Sequence, residues 1–217
     1  MFRFDHSTLQ RQGTVILQPF TLRIRQGEKV ALLGVSGAGK STLLEALRLQ
    51  QPDQVAWCPQ QGALVPMLSV FHNIYMGALQ RHAPLYNLLN LIRPLPRELD
   101  SVTRLATELG IADKLRSSVD RLSGGQAQRT ALGRALFSQR PVLLADEPVS
   151  SVDEQQAKAL LTLALARHDT AVVALHDREL ALHCCERIIG LKNGHIVIDA
   201  PSKQLSMDHL DTLYRRS

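Results

Sequence analysis

Three features of this 217-residue sequence predict an α/β fold with a mostly parallel central sheet. Short apolar runs at 29–33 and 142–145 have the composition of strands buried on both faces. Helical patterns follow them, at 40–50 and 154–167, with apolar residues three and four positions apart. Between these two alternating series, the segment 69–116 has helical patterns and several prolines, which predicts a separate helical lobe.

The sequence predicts two further strands before the helical lobe and two helices within it. Residues 14–24 alternate apolar and polar side chains, a pattern typical of strands near the edge of a sheet. A short strand at 55–57 follows the first helix. Within the lobe, Ser69 is the expected N-cap of one helix, and a longer helix over 98–109 is closed by Gly110.

The C-terminal third returns to alternating strands and helices. A helix begins at Ser123 and extends to about residue 139. A hairpin is predicted around Lys192-Asn193-Gly194, because Asn-Gly between two apolar runs favours a tight turn. The other predicted elements are a strand at 171–175, a helix at 177–186 and a terminal helix at 206–215.

Composition and charge exclude several classes of protein. Apolar residues make up 45% and charged residues 21%, which excludes a wholly disordered or collagen-like chain. The sequence has no apolar run of about 18 residues and no pattern of a signal peptide, so neither a membrane span nor export is expected. Three cysteines without a CxxC pair fit a reducing compartment. The net charge of +5 comes from scattered residues, so we expect a solvated surface and no nucleic-acid partner.

A glycine-rich segment between the strand at 29–33 and the following helix fits the phosphate-binding pattern GxxxxGK[ST]. Glycines allow backbone N–H groups to surround phosphate oxygens, and the helix N-terminus adds partial positive charge. Lys40 can reach the β- and γ-phosphates, and the Ser41 hydroxyl can bind Mg²⁺. The alternative, a glycine-rich turn alone, is disfavoured by the strand and helix on either side. The expected nucleotide contacts are Gly34, Val35, Ser36, Gly37, Ala38, Gly39, Lys40, Ser41 and Thr42.

Two carboxylates follow the apolar run at 142–145. We assign Asp146 to Mg²⁺, through water, and Glu147 to the general base that polarises an attacking water. Two surface acids at the end of a strand are the alternative interpretation. The phosphate-binding pattern elsewhere in the chain favours the functional one.

The pentapeptide Leu122-Ser123-Gly124-Gly125-Gln126 resembles the signature motif of ATP-binding cassette ATPases. The resemblance covers essentially the whole chain. It implies a P-loop NTPase fold with a mostly parallel core sheet, a shortened antiparallel β lobe and a helical signature-motif lobe. It also implies that the signature closes on the nucleotide of a second protomer, so a homodimer is expected in the ATP-bound state. The implied signature contacts are Ser123, Gly124, Gly125 and Gln126.

Further motifs of that family occur in the same order. Gln60, in Cys58-Pro59-Gln60-Gln61, is similar to the glutamine that contacts Mg²⁺ and senses the membrane partner, with Gln61 as the alternative alignment. Asp153 is similar to the residue of the loop through which the protomers meet, and His176 to the histidine that contacts the γ-phosphate. The resemblance thus implies Glu147 and His176 as catalytic residues. The implied metal ligands are Ser41, Gln60 and Asp146.

A narrower resemblance, to phosphonate-importer ATPases, is carried by the segments 77–79, 109–114, 144–151, 174–177 and 187–191. It implies ATP and Mg²⁺ as cofactors, a separate integral membrane permease and, indirectly, a solute-binding protein. The chain would lie peripherally on the cytoplasmic face of the inner membrane and power uptake of a small anion, a phosphonate. The alternatives are the ATPase of a lipoprotein-release or cell-division complex, or a nucleotide-gated module with little turnover.

Some features depart from the family pattern. Only 20 positions separate Lys40 from Gln60, which indicates a trimmed antiparallel lobe. The family places an adenine-stacking aromatic near positions 8–12, where this chain has none, and Phe4 and His6 are the candidates to replace it. Gly133 lies inside a predicted helix, at a cost of about 1 kcal/mol relative to alanine. We expect one domain over 1–217, with 1–68 and 117–217 as the core and β lobe and 69–116 as the helical lobe.

Overall fold

A computed structural model describes residues 1–60 and 64–215 of the chain. The described strands are β1 (Phe2–Arg11), β2 (Thr14–Ile24), β3 (Lys29–Leu33), β4 (Val55–Cys58), β5 (Val142–Asp146), β6 (Thr170–Ala174), β7 (Arg187–Lys192) and β8 (His195–Pro201). The described α-helices are α1 (Lys40–Gln50), α2 (Val70–Tyr75), α3 (Pro84–Ile92), α4 (Pro96–Glu108), α5 (Gly124–Phe137), α6 (Glu154–Ala166), α7 (Arg178–Cys184) and α8 (Met207–Asp211). Among these residues, no helix has both the length and the apolar character needed to span a membrane.

Six strands form the central sheet in the order β4-β5-β6-β3-β7-β8. All neighbouring pairs are parallel except β7 and β8, which form the antiparallel hairpin. Strands β5 and β6 are buried along their whole length, as their apolar composition predicts. The predicted α/β fold with a mostly parallel sheet is therefore confirmed. The carboxyl ends of β3, β4, β5 and β6 open at one edge of this sheet, where open α/β sheets bind their ligands.

Strands β1 and β2 form a separate two-stranded antiparallel sheet, the shortened lobe that the sequence predicts. β1 itself was not predicted. Its alternation is broken where the pairing with β2 shifts register between Phe4 and Ser7, and His6 there has a left-handed φ of 41°. A bulge of this kind moves side chains from one face of the strand to the other, so the period of two disappears from the sequence.

Helix α5 packs closely against helices from the 69–116 segment. A Cβ atom added to Gly133 would lie 2.9 Å from Leu109 Cδ1 and 3.2 Å from Ile74 Cδ1. The glycine therefore allows α5 to approach α2 and the end of α4, and this close packing offsets its low helix propensity. The division of the chain into a core and a 69–116 lobe stays a prediction.

The terminal helix α8 is shorter than the predicted 206–215. Lys192 Nζ donates hydrogen bonds to the carbonyl oxygens of Thr212 at 2.8 Å and Arg215 at 2.9 Å. These bonds join the end of the chain to the β7–β8 hairpin. Gly190 on β7 makes room for Leu213, whose Cδ2 would lie 2.8 Å from an added Cβ. Tertiary contacts therefore end the helix before its sequence pattern does.

Replacement of Gly133 tests this packing. We expect Gly133→Val to lower the free energy of unfolding by about 1–3 kcal/mol, because two methyl groups would overlap Leu109 and Ile74. Gly133→Ala places a single carbon against the flexible ends of these side chains and gains helix propensity, so we expect a change within about 1 kcal/mol. Urea denaturation followed by circular dichroism measures both. A valine variant as stable as the parent would contradict the close-approach explanation.

Candidate functional site

The glycine-rich loop between β3 and α1 has a conformation that requires its glycines. Gly34, Gly37 and Gly39 have φ values of 147°, 80° and 106°, a region that other residues avoid. Lys40 folds back over the loop, and its Nζ donates to the carbonyl oxygens of Gly34 at 2.7 Å and Val35 at 3.3 Å. Burial lowers the pKa of Lys40, while the carboxylates of Glu147 and Asp146 act in the opposite direction. The loop is thus a positively charged cradle next to two acids.

Asp146, the last residue of β5, has the properties of a cation ligand. Its side chain is buried, and its Oδ1 has no hydrogen-bond partner among the described residues. Burial raises the pKa of Asp146, and a hydrogen bond from Ser41 opposes this shift. A buried, unpaired carboxylate oxygen beside a hydroxyl fits a hard divalent cation. The described residues contain no cluster of three or more His, Cys, Asp or Glu side chains for a metal, so water and phosphate oxygens would complete the coordination.

Glu147 is held by contacts with two other strand ends. Its backbone has φ of 52°, and its N–H donates to Ala174 O of β6 at 3.0 Å. Gln60 Nε2, beyond β4, donates to one carboxylate oxygen at 2.9 Å. His176, beyond β6, pairs through Nε2 with the other oxygen. Three residues that the sequence predicts for this site therefore meet at one carboxylate.

One cavity of about 280 Å³ joins the glycine-rich loop to these residues. Its lining residues are Arg11, Ile16, Ser36, Gly37, Gly39, Lys40, Ser41, Thr42, Gln60, Glu147 and His176. The alternative residue Gln61 lies outside the described residues. The arrangement can hold a polyphosphate at the loop and a polarised water at Glu147.

The expected substitutes for an adenine-stacking ring do not line this cavity. Phe4 is buried and packs on Phe20, with ring centroids 5.2 Å apart, so the proposal that it replaces the aromatic is wrong. Of the described residues, those that line the cavity from the β1–β2 sheet are Arg11 and Ile16, and His6 is not among them. Arg11 stands at the end of β1, inside the 8–12 stretch where the sequence lacks an aromatic residue.

The signature residues form the start of α5 but do not line the cavity beside the loop in the described structure. Ser123 and Gln126 make a capping box, in which Ser123 Oγ accepts from Gln126 N–H at 3.3 Å and Gln126 Oε1 accepts from Ser123 N–H at 3.1 Å. Asp153 likewise caps α6, accepting from Gln156 N–H at 3.0 Å. Within one chain, Ser123–Gln126 and Asp153 are therefore absent from the lining that Lys40, Glu147 and His176 share, although Gly124 lines an adjoining cavity of about 500 Å³ with Gln60 and Glu147.

Gln128 is a residue of the site that the sequence analysis missed. Its Nε2 donates to Glu147 O and, at 2.9 Å, to Ser150 Oγ. Its Oε1 accepts from Ser151 N–H at 2.8 Å. Gln128 therefore fixes the loop after β5 to the signature helix. The sequence did contain one signal for Gln128: it lies four positions after Gly124, so on a helix it would be about one turn from the signature and on the same face.

The comparisons with known proteins agree with this geometry. The family model described as ABC transporter matches residues 17–54 and 48–150, more than half of the chain. The chain belongs to the ABC transporter family. Solved ABC cassettes have the same fold: a nucleotide-free ATP-binding cassette covers 99% of this chain with TM-score 0.77 and 17% identity, and the chain covers 98% of that cassette. A dimeric bacterial ABC transporter cassette aligns with 93% of this chain and with 99% of its own length, with TM-score 0.76 and 24% identity.

Several relatives in the ABC family have names that state their task. The phosphonates import ATP-binding protein of Pseudomonas fluorescens is 38% identical over 97% of this chain and 89% of its own length. The phosphite import ATP-binding protein of Stutzerimonas stutzeri is 35% identical over 93% of this chain and 82% of its own. A phosphonates import protein of Anaeromyxobacter dehalogenans is 38% identical over 91% of this chain, which spans 45% of that longer relative.

We expect Gln128→Ala to lower the kcat of ATP hydrolysis by about ten- to a hundredfold, because the Glu147 loop would lose three hydrogen bonds that position it. The KM for ATP should stay near that of the parent, since the glycine-rich loop is untouched. Steady-state kinetics with a thermal melt as control measures the effect. A parallel loss of kcat, ATP affinity and thermal stability would indicate a structural role instead.

Proposed function

We propose that this chain is the ATP-binding and ATP-hydrolysing subunit of an importer, and that the imported solute is a small anion, a phosphonate. The observation that carries the hydrolytic part is the meeting of Gln60, Glu147 and His176 at the cavity of the glycine-rich loop. The relatives named for phosphonate import support the cargo. Phosphite is the second candidate cargo, because a relative of similar identity is named for it.

In this proposal the glycine-rich loop binds the phosphates of ATP. Backbone N–H groups of Gly37 to Ser41 and the N-terminus of α1 provide the donors. Lys40 exchanges its bonds to loop carbonyl oxygens for the β- and γ-phosphates, and this exchange keeps its buried ammonium paired. Mg²⁺, when bound, would be held by Ser41, Gln60 and Asp146 and would neutralise phosphate charge.

Glu147 is the proposed general base. Its carboxylate accepts a proton from the water that attacks the γ-phosphorus, as the bond from that phosphorus to the ADP oxygen breaks. His176 and Gln60 orient the carboxylate through its two oxygens. A nucleotide-gated module with little turnover does not need this orientation, so the contacts favour hydrolysis over that alternative.

The signature needs a second protomer in this proposal. Ser123–Gln126 begin a helix whose N-terminus can bind an anion, yet they do not line the cavity at the glycine-rich loop of their own chain. In a head-to-tail homodimer, this helix N-terminus and Asp153 would close over the nucleotide of the partner. A separate integral membrane permease and a solute-binding protein complete the importer. The chain would lie peripherally at the cytoplasmic face of the inner membrane.

Hydrolysis and transport test the proposal in the assembled importer, purified through a tag on this chain and placed in proteoliposomes. We expect Mg²⁺-dependent ATP hydrolysis that rises when the solute-binding protein carries a phosphonate. Glu147→Gln should lower the rate at least about a hundredfold while ATP still binds. Lys40→Ala should lose ATP binding itself.

The results separate the parts of the proposal. If phosphite and not phosphonate stimulates ATP hydrolysis, the proposed cargo is wrong and the proposed ATPase activity stands. Equal turnover in the parent and Glu147→Gln would contradict the general-base assignment. Absence of turnover in the complete importer, with ATP bound, would contradict the hydrolytic function.

Arg11 provides a test of how the base of ATP is held. A guanidinium plane stacks on aromatic faces, so Arg11 can take the place of an aromatic ring. We expect Arg11→Ala to weaken ATP and ADP binding equally, by about tenfold, since loss of base stacking costs about 1–3 kcal/mol. Isothermal titration measures both affinities, and Arg11→Tyr should restore them. A loss for ATP alone would place Arg11 on the γ-phosphate instead.

A further inference from the structure

On helix α3 the apolar side chains face the solvent and polar side chains face the protein, the reverse of an ordinary surface helix. Five of its nine residues are large apolar side chains that are about half or more exposed, from 48% for Leu89 to 76% for Ile92. At about 100° per residue, they cover one continuous outer face of the helix. These residues are Leu85, Leu88, Leu89, Leu91 and Ile92, and we call them the α3 apolar face.

Polar side chains of α3 face the protein and fix this orientation. Asn87 Nδ2 donates to Leu79 O at 2.9 Å, and its Oδ1 accepts from Tyr75 Oη at 2.8 Å. Asn90 is fully buried, and its Oδ1 accepts from Leu95 N–H at 3.0 Å. Turning the leucines inward would break these bonds and leave buried polar groups unpaired. The exposure of the α3 apolar face is therefore built into the fold.

Exposed cations follow α3, and the nearest acid, Glu98, is buried against the helix, where its Oε1 accepts from Tyr86 Oη at 3.1 Å. The first exposed acid beyond these cations is Asp100. Residues 81–97 contain three arginines and no aspartate or glutamate. Arg81 donates to Phe137 O and to Gln139, so its guanidinium is occupied within the fold. In the described part of the chain, Arg93 and Arg97 form no ion pair. Two available cations thus stand just beyond the C-terminal end of the α3 apolar face.

We propose that α3 is an interfacial helix that binds an anionic phospholipid surface. Its apolar face would enter the boundary between headgroups and acyl chains, while Arg93 and Arg97 pair with headgroup phosphates. The side chains form an exposed aliphatic ridge without Trp, Tyr or Arg at its centre, whereas protein hot spots favour those residues in pockets. Fluid acyl chains need no complementary shape. The inference rests on the proposed function only in that an importer subunit is held close to a membrane.

Vesicle co-sedimentation of the purified full-length chain tests this inference. The vesicles are phosphatidylcholine alone, or phosphatidylcholine with about a third phosphatidylglycerol. We expect binding to the anionic vesicles that falls about tenfold or more in Leu88→Ser/Ile92→Ser, which removes apolar area, and in Arg93→Glu/Arg97→Glu, which reverses the charge. Leu49→Ser is the matched control, because Leu49 on α1 is 73% exposed and lies outside the α3 apolar face. It should bind like the parent.

Three outcomes would overturn the inference. One is absence of parent binding to anionic vesicles. Another is equal binding by the parent and both α3 variants. The third is self-association without lipid that the α3 variants abolish, which would assign the face to a second copy of the chain. A face that binds only when the permease is present would appear as the first outcome.

ATP binding, measured on the same samples, separates this result from the proposed function. The α3 variants leave the glycine-rich loop intact, so their ATP affinity should equal that of the parent. Loss of vesicle binding with ATP affinity retained supports the inference. An α3 variant that loses both vesicle binding and ATP affinity, with a normal melting curve, would contradict the inference, because α3 would then also affect the nucleotide site.

Discussion

The parallel register of four strands is the constraint on which the rest of the site depends. β4, β5, β6 and β3 run in one direction, so their carboxyl ends open at a single edge. Glu147 takes a left-handed φ there and donates its N–H to Ala174 O, which turns its carboxylate toward Gln60 and His176. Gln60 and Glu147 are 87 positions apart in the chain. A one-residue slip of β5 against β6 would send these side chains to the opposite face of the sheet.

Around that edge the chain leaves charged groups incompletely paired. Burial lowers the pKa of Lys40 and raises that of Asp146, and Asp146 Oδ1 has no partner in the described part of the chain. Each shift reflects a desolvation cost that folding alone does not repay. An anion at Lys40 and a cation at Asp146 would each recover part of it. Binding of a phosphate and its metal would therefore be favoured by the pairing of these two charges.

The sequence predicted those parts of the molecule that depend on local pattern. The glycine-rich loop, the acidic end of β5 and the Ser123 cap are each set by neighbours within a few residues, and the structure has the predicted local elements. β1 and Gln128 were missed because they depend on tertiary contacts: a bulge hides the period of β1, and the partners of Gln128 lie on another loop. The sequence pattern of α3 would also place its leucines in the core. The structure has them outside, because Asn87 and Asn90 make hydrogen bonds to the protein that fix the opposite face inward.

Helix α5 contacts both the loop that carries Glu147 and the helices of the 69–116 segment. At the N-terminal end, Gln128 holds the loop that carries Glu147. Further along, Gly133 brings α5 against Ile74 of α2 and Leu109 after α4, where an added Cβ would lie 2.9 Å from Leu109 Cδ1. A close-packed interface of this kind transmits displacement and does not absorb it. A shift of α2, which contacts α3 through the Tyr75–Asn87 hydrogen bond, would therefore reach the loop that carries Glu147 through α5. If α3 binds a membrane as proposed, this is a physical route between that contact and the proposed general base.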